Sequence, residues 1–231
     1  MFVIGGIQKT TLLDFPERVA AIVFTKGCNF RCGYCHNPEL IEFSKESDYD
    51  TESFFEFLKT RLKKLDGVVI TGGEPTLQSG LYDFVKRIKS MGFEVKLDTN
   101  GTNPQVLKKL ISDNLLDYIA MDIKAPEGRG KYNEITQVSL PIESISESIK
   151  LIMDSGVDYE FRTTVVKSQL SVEDFDEIGK MIKGAKRYYL QKFIPSKCLN
   201  EALMSEKSYS DEELKTICEN LKKYIETVDF R

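Results

Sequence analysis

The sequence predicts an incomplete (β/α)6 barrel of TIM type, with parallel strands and one open side. Three observations carry that expectation. Six short β-branched runs alternate with longer amphipathic stretches, the pattern of a parallel sheet covered by helices. Glycines punctuate the returns from helix to strand. The chemically unusual residues all fall at or just beyond the carboxyl ends of the strand candidates, which a parallel barrel gathers on one face.

In order, the strand candidates are Val19 to Thr25, Gly67 to Thr71, Phe93 to Thr99, Leu116 to Ile123, Asp158 to Val166 and Arg187 to Phe193. Apolar spacing of three and four predicts helices over Thr51 to Leu65, Leu77 to Ser90, Pro104 to Asn114, Ile142 to Ser155, Val172 to Lys183 and Ser210 to Thr227. Start signals stand at Asn103 before Pro104, at Ser171 ahead of Glu173 and Asp174, and at Ser210 ahead of Asp211, Glu212 and Glu213. Gly92, Gly156 and Gly184 each sit between a helix end and a strand. No linker, repeat or low-complexity tract interrupts residues 1–231, so one domain is expected. It divides into an N-terminal extension over 1–18, six βα units over 19–193, and a C-terminal loop and helix over 194–231.

The composition narrows the class. A chain of 231 residues with 41% hydrophobic content buries one substantial core. The net charge of −4 comes from interspersed residues of both signs, which argues against nucleic acid as a partner. No apolar run approaches the roughly 18 residues of a membrane span, and the N-terminus lacks the pattern of a secretory leader, so a cytoplasmic protein without a membrane partner is expected. Five cysteines, an odd number, suit metal ligands or catalytic thiols better than a disulfide framework.

Three of those cysteines stand as C-x3-C-x2-C in the loop Lys26-Gly-Cys-Asn-Phe-Arg-Cys-Gly-Tyr-Cys-His-Asn-Pro38, at Cys28, Cys32 and Cys35. Three thiolates on one loop hold three irons of a cubane and leave the fourth iron without a protein ligand, free to bind a substrate. Other readings remain open: a Cys3His zinc site with His36, against which adjacent Cys35 and His36 strain, and the C-x-x-C-H of covalent haem attachment, which gives Cys28 no role. Inert core cysteines explain three thiols in a Gly- and Pro-flanked loop poorly.

With an aromatic before the third cysteine, this loop resembles that of the radical S-adenosylmethionine (SAM) superfamily. The resemblance implies a [4Fe-4S] cluster on Cys28, Cys32 and Cys35 that donates an electron to the sulfonium of SAM, giving methionine and a 5′-deoxyadenosyl radical. It places Tyr34 beside the cluster and adenine, although an ordinary core aromatic is the plain alternative. Four further segments reach the same rim: Gly72-Gly73-Glu74-Pro75, Asp98 to Gly101, Asp122 to Lys124, and Gln191 to Phe193. The two glycines let the main chain approach a ligand closely. Gly72, Gly73 and Glu74 look like the superfamily's GGE motif, which implies hydrogen bonding to the SAM amino group.

Asp98 and Asp122 end consecutive strands, and two neighbouring carboxylates call for a counter-charge, Lys124 being one at hand. Taken alone, Asp98-Thr99-Asn100-Gly101 also reads as a helix N-cap and turn. Together with Asp122-Ile123-Lys124 it resembles the motifs of glycyl radical enzyme activases. That resemblance implies a monovalent cation at the SAM carboxylate, held with help from Asp98, Thr99 and Asp122, and a contact from Lys124 to SAM. Arg162 lies in an otherwise apolar strand and either meets the ligand or pairs with an acid. Gln191 and Lys192 are weaker candidates, and Cys198 and Cys218 are read as non-ligands.

Over its whole length the chain is similar to the activating proteins of anaerobic ribonucleoside-triphosphate reductases, through GGIQKTTLLDFPERVA, CNFRCGYCHNPEL, TGGEPTLQ, LDTNG, MDIKAP and the late QKF. This implies a glycyl radical enzyme as partner. Residues Glu39 to Asp50 contain no cysteine, so a ferredoxin insert is absent and an external reductant such as flavodoxin or ferredoxin is expected. The pyruvate formate-lyase type reads roughly D-G-P-G where this chain has Asp14-Phe15-Pro16-Glu17, which leaves the partner open. Two rivals stand beside this reading. A 7-carboxy-7-deazaguanine synthase would need polar groups on the later strands, and those after Asp158 are plain. A zinc-stabilised interaction module is the alternative outside enzymes.

Overall fold

The computed structural model describes residues 1–128, 130–139 and 142–231. One eight-stranded sheet runs in chain order through β1 (Ile4–Thr11), β2 (Ala20–Thr25), β3 (Gly67–Gly72), β4 (Glu94–Thr99), β5 (Tyr118–Asp122), β6 (Asp158–Val165), β7 (Arg187–Lys192) and β8 (Thr227–Phe230). Every neighbouring pair from β2 to β8 is parallel, and β1 is antiparallel to β2. No pairing joins β1 to β8 among the described residues, so the curved sheet stays open between them.

The six expected strands are thus flanked by two more. β1 lies in the stretch read as an extension, and β8 follows the last helix. Both are edges: β1 alternates Gly-Gly and polar residues with little apolar signal, and β8 is only four residues long. Helices α1 (Thr51–Lys59), α2 (Leu81–Ser90), α3 (Pro104–Ser112), α4 (Lys131–Thr136), α5 (Glu143–Asp154), α6 (Val172–Met181) and α7 (Asp211–Leu221) complete the chain. The helix expected from Leu77 begins only at Leu81, because Pro75–Leu77 forms a separate short 3-10 turn. The helix expected to Leu65 stops at Lys59, and α4, six residues behind a left-handed Gly130, has too little periodicity to be read.

Local chemistry sets several boundaries. Ser171 and Ser210 close capping boxes with Asp174 and Glu213, satisfying N–H groups at each helix start. Asn103 does not cap α3; its amide donates to the Thr76 carbonyl at 3.0 Å. Gly92, Gly156 and Gly184 take φ of +89°, +74° and +89°, the left-handed stop expected of them.

Strand periodicity sorts side chains to two faces. The outer face of the sheet and the helices form the large core, around Ile70, Leu97, Phe161 and Tyr188. The inner face divides. Ala20, Ile22, Val69, Tyr118 and Ala120 form an apolar floor against Phe15 of the β1–β2 loop, whereas Lys96, Asp98, Glu160 and Arg162 carry charge inside the barrel. Phe15 lies 6.1 Å, centroid to centroid, from Tyr118 and fills the amino-terminal end, so the inner face opens at the carboxyl ends of the strands.

Candidate active site

At that open end the rim motifs meet. A cavity of about 190 Å³ is lined by Cys28, Cys32, Tyr34 and Cys35, by Gly72, Gly73 and Glu74, by Asp98, Thr99 and Asn100, and by Asp122, Lys124 and Arg162. Every residue singled out from the sequence as cluster- or cofactor-binding is on this list. Gln191 and Lys192 are not; they line a second chamber.

The cysteine loop is fastened from four directions. Gly27 N–H donates to Leu40 O at 2.8 Å and Cys28 N–H to Ile41 O at 2.9 Å, closing the loop on itself. Glu74 N–H donates to Gly27 O at 2.8 Å, tying it to the β3 end. The Asn100 amide donates to Asn29 Oδ1 and that of Asn29 to Thr102 Oγ1, both at 2.9 Å, tying it to the β4 end. Arg31 N–H reaches Thr136 O at the end of α4, and Asn200 N–H reaches Gly33 O from the segment after β7. The roles of Asn29, Asn100 and α4 leave no mark in local spacing, since their hydrogen bonds span 71 and 73 residues and, for α4, run from Arg31 to Thr136.

Glycine is required at two points of this junction. Gly72 has φ of +114°, and a Cβ there would lie 2.3 Å from Thr25 N. At Gly73 a Cβ would come within 2.2 Å of Gly27 O. The β3 end therefore lies directly against the start of the cysteine loop.

Among the described residues, no group of three or more His, Cys, Asp or Glu side chains is placed to hold a single metal ion. A cubane asks for something different, one thiolate at each of three irons, and the donor set fits that. Cys28, Cys32 and Cys35 share one cavity; Cys28 Sγ accepts the Phe30 N–H at 3.4 Å, and Cys35 accepts the backbone N–H of Asn37. Burial pushes the Cys28 thiol up to about 12 and raises Cys32 and Cys35 as well, while the Lys124 ammonium works in the opposite direction on all three. Such thiols stay protonated until a metal supplies positive charge. The Tyr34 hydroxyl is buried in the cavity wall with only the Cys32 thiol close to it and no oxygen or nitrogen partner, which leaves a hydrogen-bonding group available for a bound cofactor.

Glu74 plays a part that its motif did not announce. Its carboxylate, 1% exposed, accepts from Thr76 N at 3.0 Å, Thr76 Oγ1 at 2.6 Å and Thr99 Oγ1 at 2.8 Å on one oxygen, and from Asn100 N at 2.7 Å on the other. The side chain expected at the SAM amino group is thus first a staple between the ends of β3 and β4. Thr99, expected at a cation, spends its hydroxyl on this staple and accepts Gly101 N–H at 3.1 Å.

Asp98 and Asp122 face a fixed set of cations. Arg162 Nε donates to Asp122 Oδ1 at 2.8 Å and its NH1 lies 3.3 Å from Asp98 Oδ2, so the guanidinium bridges the pair. Lys96 Nζ lies 2.9 Å from Asp98 and Lys124 Nζ 3.0 Å from Asp122. Of the two roles left open for Arg162, it takes the ion pair. Burial raises both carboxyls, but Arg162, with Lys96 for Asp98 and Lys124 for Asp122, outweighs it and holds both below the ordinary carboxylate range.

A pH dependence follows. A depressed folded pKa contributes stability that is complete above the unfolded value of about 3.9 and is lost as pH falls through the folded value. Below about pH 4, the melting temperature of the wild type therefore falls more steeply with acid than that of Asp122→Asn. Parallel slopes in calorimetric melts would refute the ion pairing.

Beyond Arg162 and Thr164 lies a second chamber of about 530 Å³, between Leu13, Asp14 and Pro16 of the β1–β2 loop and Gln191, Lys192 and Arg231 beside the other sheet edge. Glu160 is buried there, accepting from Tyr118 Oη at 3.0 Å and from Arg231 at 2.6 Å. The strands after Asp158 are therefore not plain on their inner face: alternation along β6 sets Glu160 and Thr164 on the same face as Arg162, the one residue of the three that the sequence singled out. Cys198 lies 3.3 Å from Met204 Sδ and Cys218 is buried on α7, and neither lines the cavity.

An open parallel barrel with three cysteines and a GGE turn at one mouth defines a class, and the comparisons agree. The chain belongs to the Radical SAM superfamily, whose family model matches residues 22–182, and it is a radical SAM enzyme whose family carries a [4Fe-4S] cluster and SAM. It is 34% identical over 235 residues, 99% of this chain and 95% of the other, to a protein of Methanocaldococcus jannaschii provisionally named a glycyl-radical enzyme activating enzyme. It is 26% identical to the pyruvate formate-lyase-activating enzyme of Clostridium pasteurianum, over 83% of this chain and 81% of that one. Identity is also 26% with the 7-carboxy-7-deazaguanine synthase of Thermococcus kodakarensis, over 77% of this chain and 76% of that one. No helix among the described residues is long and apolar enough to cross a membrane.

Proposed function

We propose that this chain activates a glycyl radical enzyme, and that its partner is an anaerobic ribonucleoside-triphosphate reductase. The end-to-end similarity to an activating enzyme carries this reading, because it includes both sheet edges and the segments that clamp the cysteine loop. A bound cluster would supply the one electron that splits SAM into methionine and a 5′-deoxyadenosyl group able to take an α-hydrogen from a partner glycine. The protein's own residues prepare that step. Cys28, Cys32 and Cys35 hold three irons, Gly72 and Gly73 keep the main chain close to the ligand, and Tyr34 and Lys124 face it. Arg162 and the two aspartates fix the charge of the wall.

The chamber between the two sheet edges adjoins the cavity and is the route we assign to the partner's glycine loop. Cys198 and Cys218 stand apart from the cavity, so electrons come from an external donor such as flavodoxin or ferredoxin. A second reading, a 7-carboxy-7-deazaguanine synthase, is favoured by the polar inner face of β6 and by the 26% identity to such an enzyme.

Anaerobic reconstitution, reduction and mixing with SAM and candidate reductases separates the two readings. The expected result is a glycyl doublet in the electron paramagnetic resonance spectrum of the reductase. SAM cleavage with no doublet from any glycyl radical enzyme, but with formation of 7-carboxy-7-deazaguanine in a parallel mixture supplied with the synthase's own substrate, would transfer the assignment to the synthase.

A further inference from the structure

The activase resemblance implies a monovalent cation at Asp98, Thr99 and Asp122, and the residues present do not fit one. A loosely hydrated ion is recruited where carboxylate charge is left uncompensated and oxygen ligands are free. Here Asp98 already has Lys96 at 2.9 Å and Arg162 at 3.3 Å against it, and Asp122 has Lys124 at 3.0 Å and Arg162 at 2.8 Å; counting Glu160, 4.0 Å from Arg162, three carboxylates face three protein cations, so no carboxylate charge is left uncompensated. Arg162 lies between the two carboxylates, where a shared ion would sit, and the Thr99 hydroxyl is committed to Glu74 and Gly101.

The guanidinium is itself held in place. β6 carries Arg162 opposite Asp122 in the parallel register, and Glu160, two residues earlier on the same inner face, stands 4.0 Å from its NH1. The guanidinium is planar, permanently charged and able to bond two acceptors at once, so it bridges two carboxylates in a way that a lysine cannot.

We propose that Arg162 serves in this enzyme as the built-in counter-ion of Asp98 and Asp122, so that SAM binding requires no sodium or potassium. The proposal rests on the reading that SAM occupies this cavity. Isothermal titration of SAM into the anaerobic, cluster-loaded protein, in sodium, potassium and choline chloride at equal ionic strength, tests it. The expected dissociation constants agree within about twofold, and a weakening of roughly tenfold in choline would overturn the proposal.

Arg162→Gln supplies the second arm. Its SAM affinity is expected to fall in choline and to recover roughly tenfold or more in sodium or potassium, a salt-specific rescue that a merely structural role for Arg162 would not produce. Equal loss in all three salts would count against the proposal. The wild-type comparison stands by itself if the variant does not fold. Absence of SAM binding in every salt would remove the reading beneath the proposal and the proposal with it, whereas ion-dependent binding overturns the proposal alone.

Discussion

Alanine at Cys28, Cys32 or Cys35 reduces 5′-deoxyadenosine formation to background while leaving a folded barrel. Each thiol is expected to hold one iron, and losing one destroys the three-point attachment that leaves the fourth iron open. The fold tolerates the change because the loop is held by main-chain bonds, Gly27 to Leu40, Cys28 to Ile41, Arg31 to Thr136 and Gly33 to Asn200, which no cysteine side chain supplies. Removing a small buried sulfur costs about 1 kcal/mol, or 2–4 °C in melting temperature for a chain of this size. Chromatography of 5′-deoxyadenosine and far-ultraviolet circular dichroism, run on the same anaerobic samples, check both halves. Continued cleavage by any single variant would contradict the assignment of the three thiols, and loss of the native spectrum would show the loop to be structural.

Glu74→Ala has the second large effect, and it falls first on stability. The substitution leaves four donors, Thr76 N, Thr76 Oγ1, Thr99 Oγ1 and Asn100 N, without their acceptor in a buried place. Removing one side of a buried charged network costs about 3–5 kcal/mol, which lowers the melting temperature by roughly 10 °C. The consequence reaches SAM binding through Asn100, whose side chain holds Asn29 of the cysteine loop at 2.9 Å. Glu74→Gln keeps the shape and one acceptor oxygen, and turns an amide toward the remaining donors, so its loss is smaller. An unchanged melting temperature in the alanine variant, with SAM affinity alone reduced, would mean that the carboxylate serves the ligand and not the strand ends.

Much of this enzyme is written in local pattern. Short β-branched runs from Ala20 to Lys192 and helical spacing between them specify six parallel βα units, because a parallel sheet covered by helices buries its strands on both faces and each helix on one. Gly72 and Gly73 mark a close approach that only a residue without a side chain permits, and C-x3-C-x2-C places three thiols on one loop whatever else the chain does. These features depend on neighbours in sequence, so the sequence by itself determined them.

Tertiary structure decided the rest. The edge strands Ile4–Thr11 and Thr227–Phe230 owe their conformation to the sheet they border, since neither has an apolar face of its own strong enough to be read. Glu74 became a staple, and Arg162 became the bridge between Asp98 and Asp122, only when β3, β4, β5 and β6 were laid side by side. A buried charge must find its partner in space, and the cross-strand partners of these two, Thr99 and Asn100 for Glu74 and Asp122 and Asp98 for Arg162, lie from 25 to 64 residues away. Residue types and spacing thus disclose which chemistry a chain carries. The pairing of its buried polar groups, fixed by the cost of leaving any of them unmatched in a low-dielectric interior, is settled by the fold.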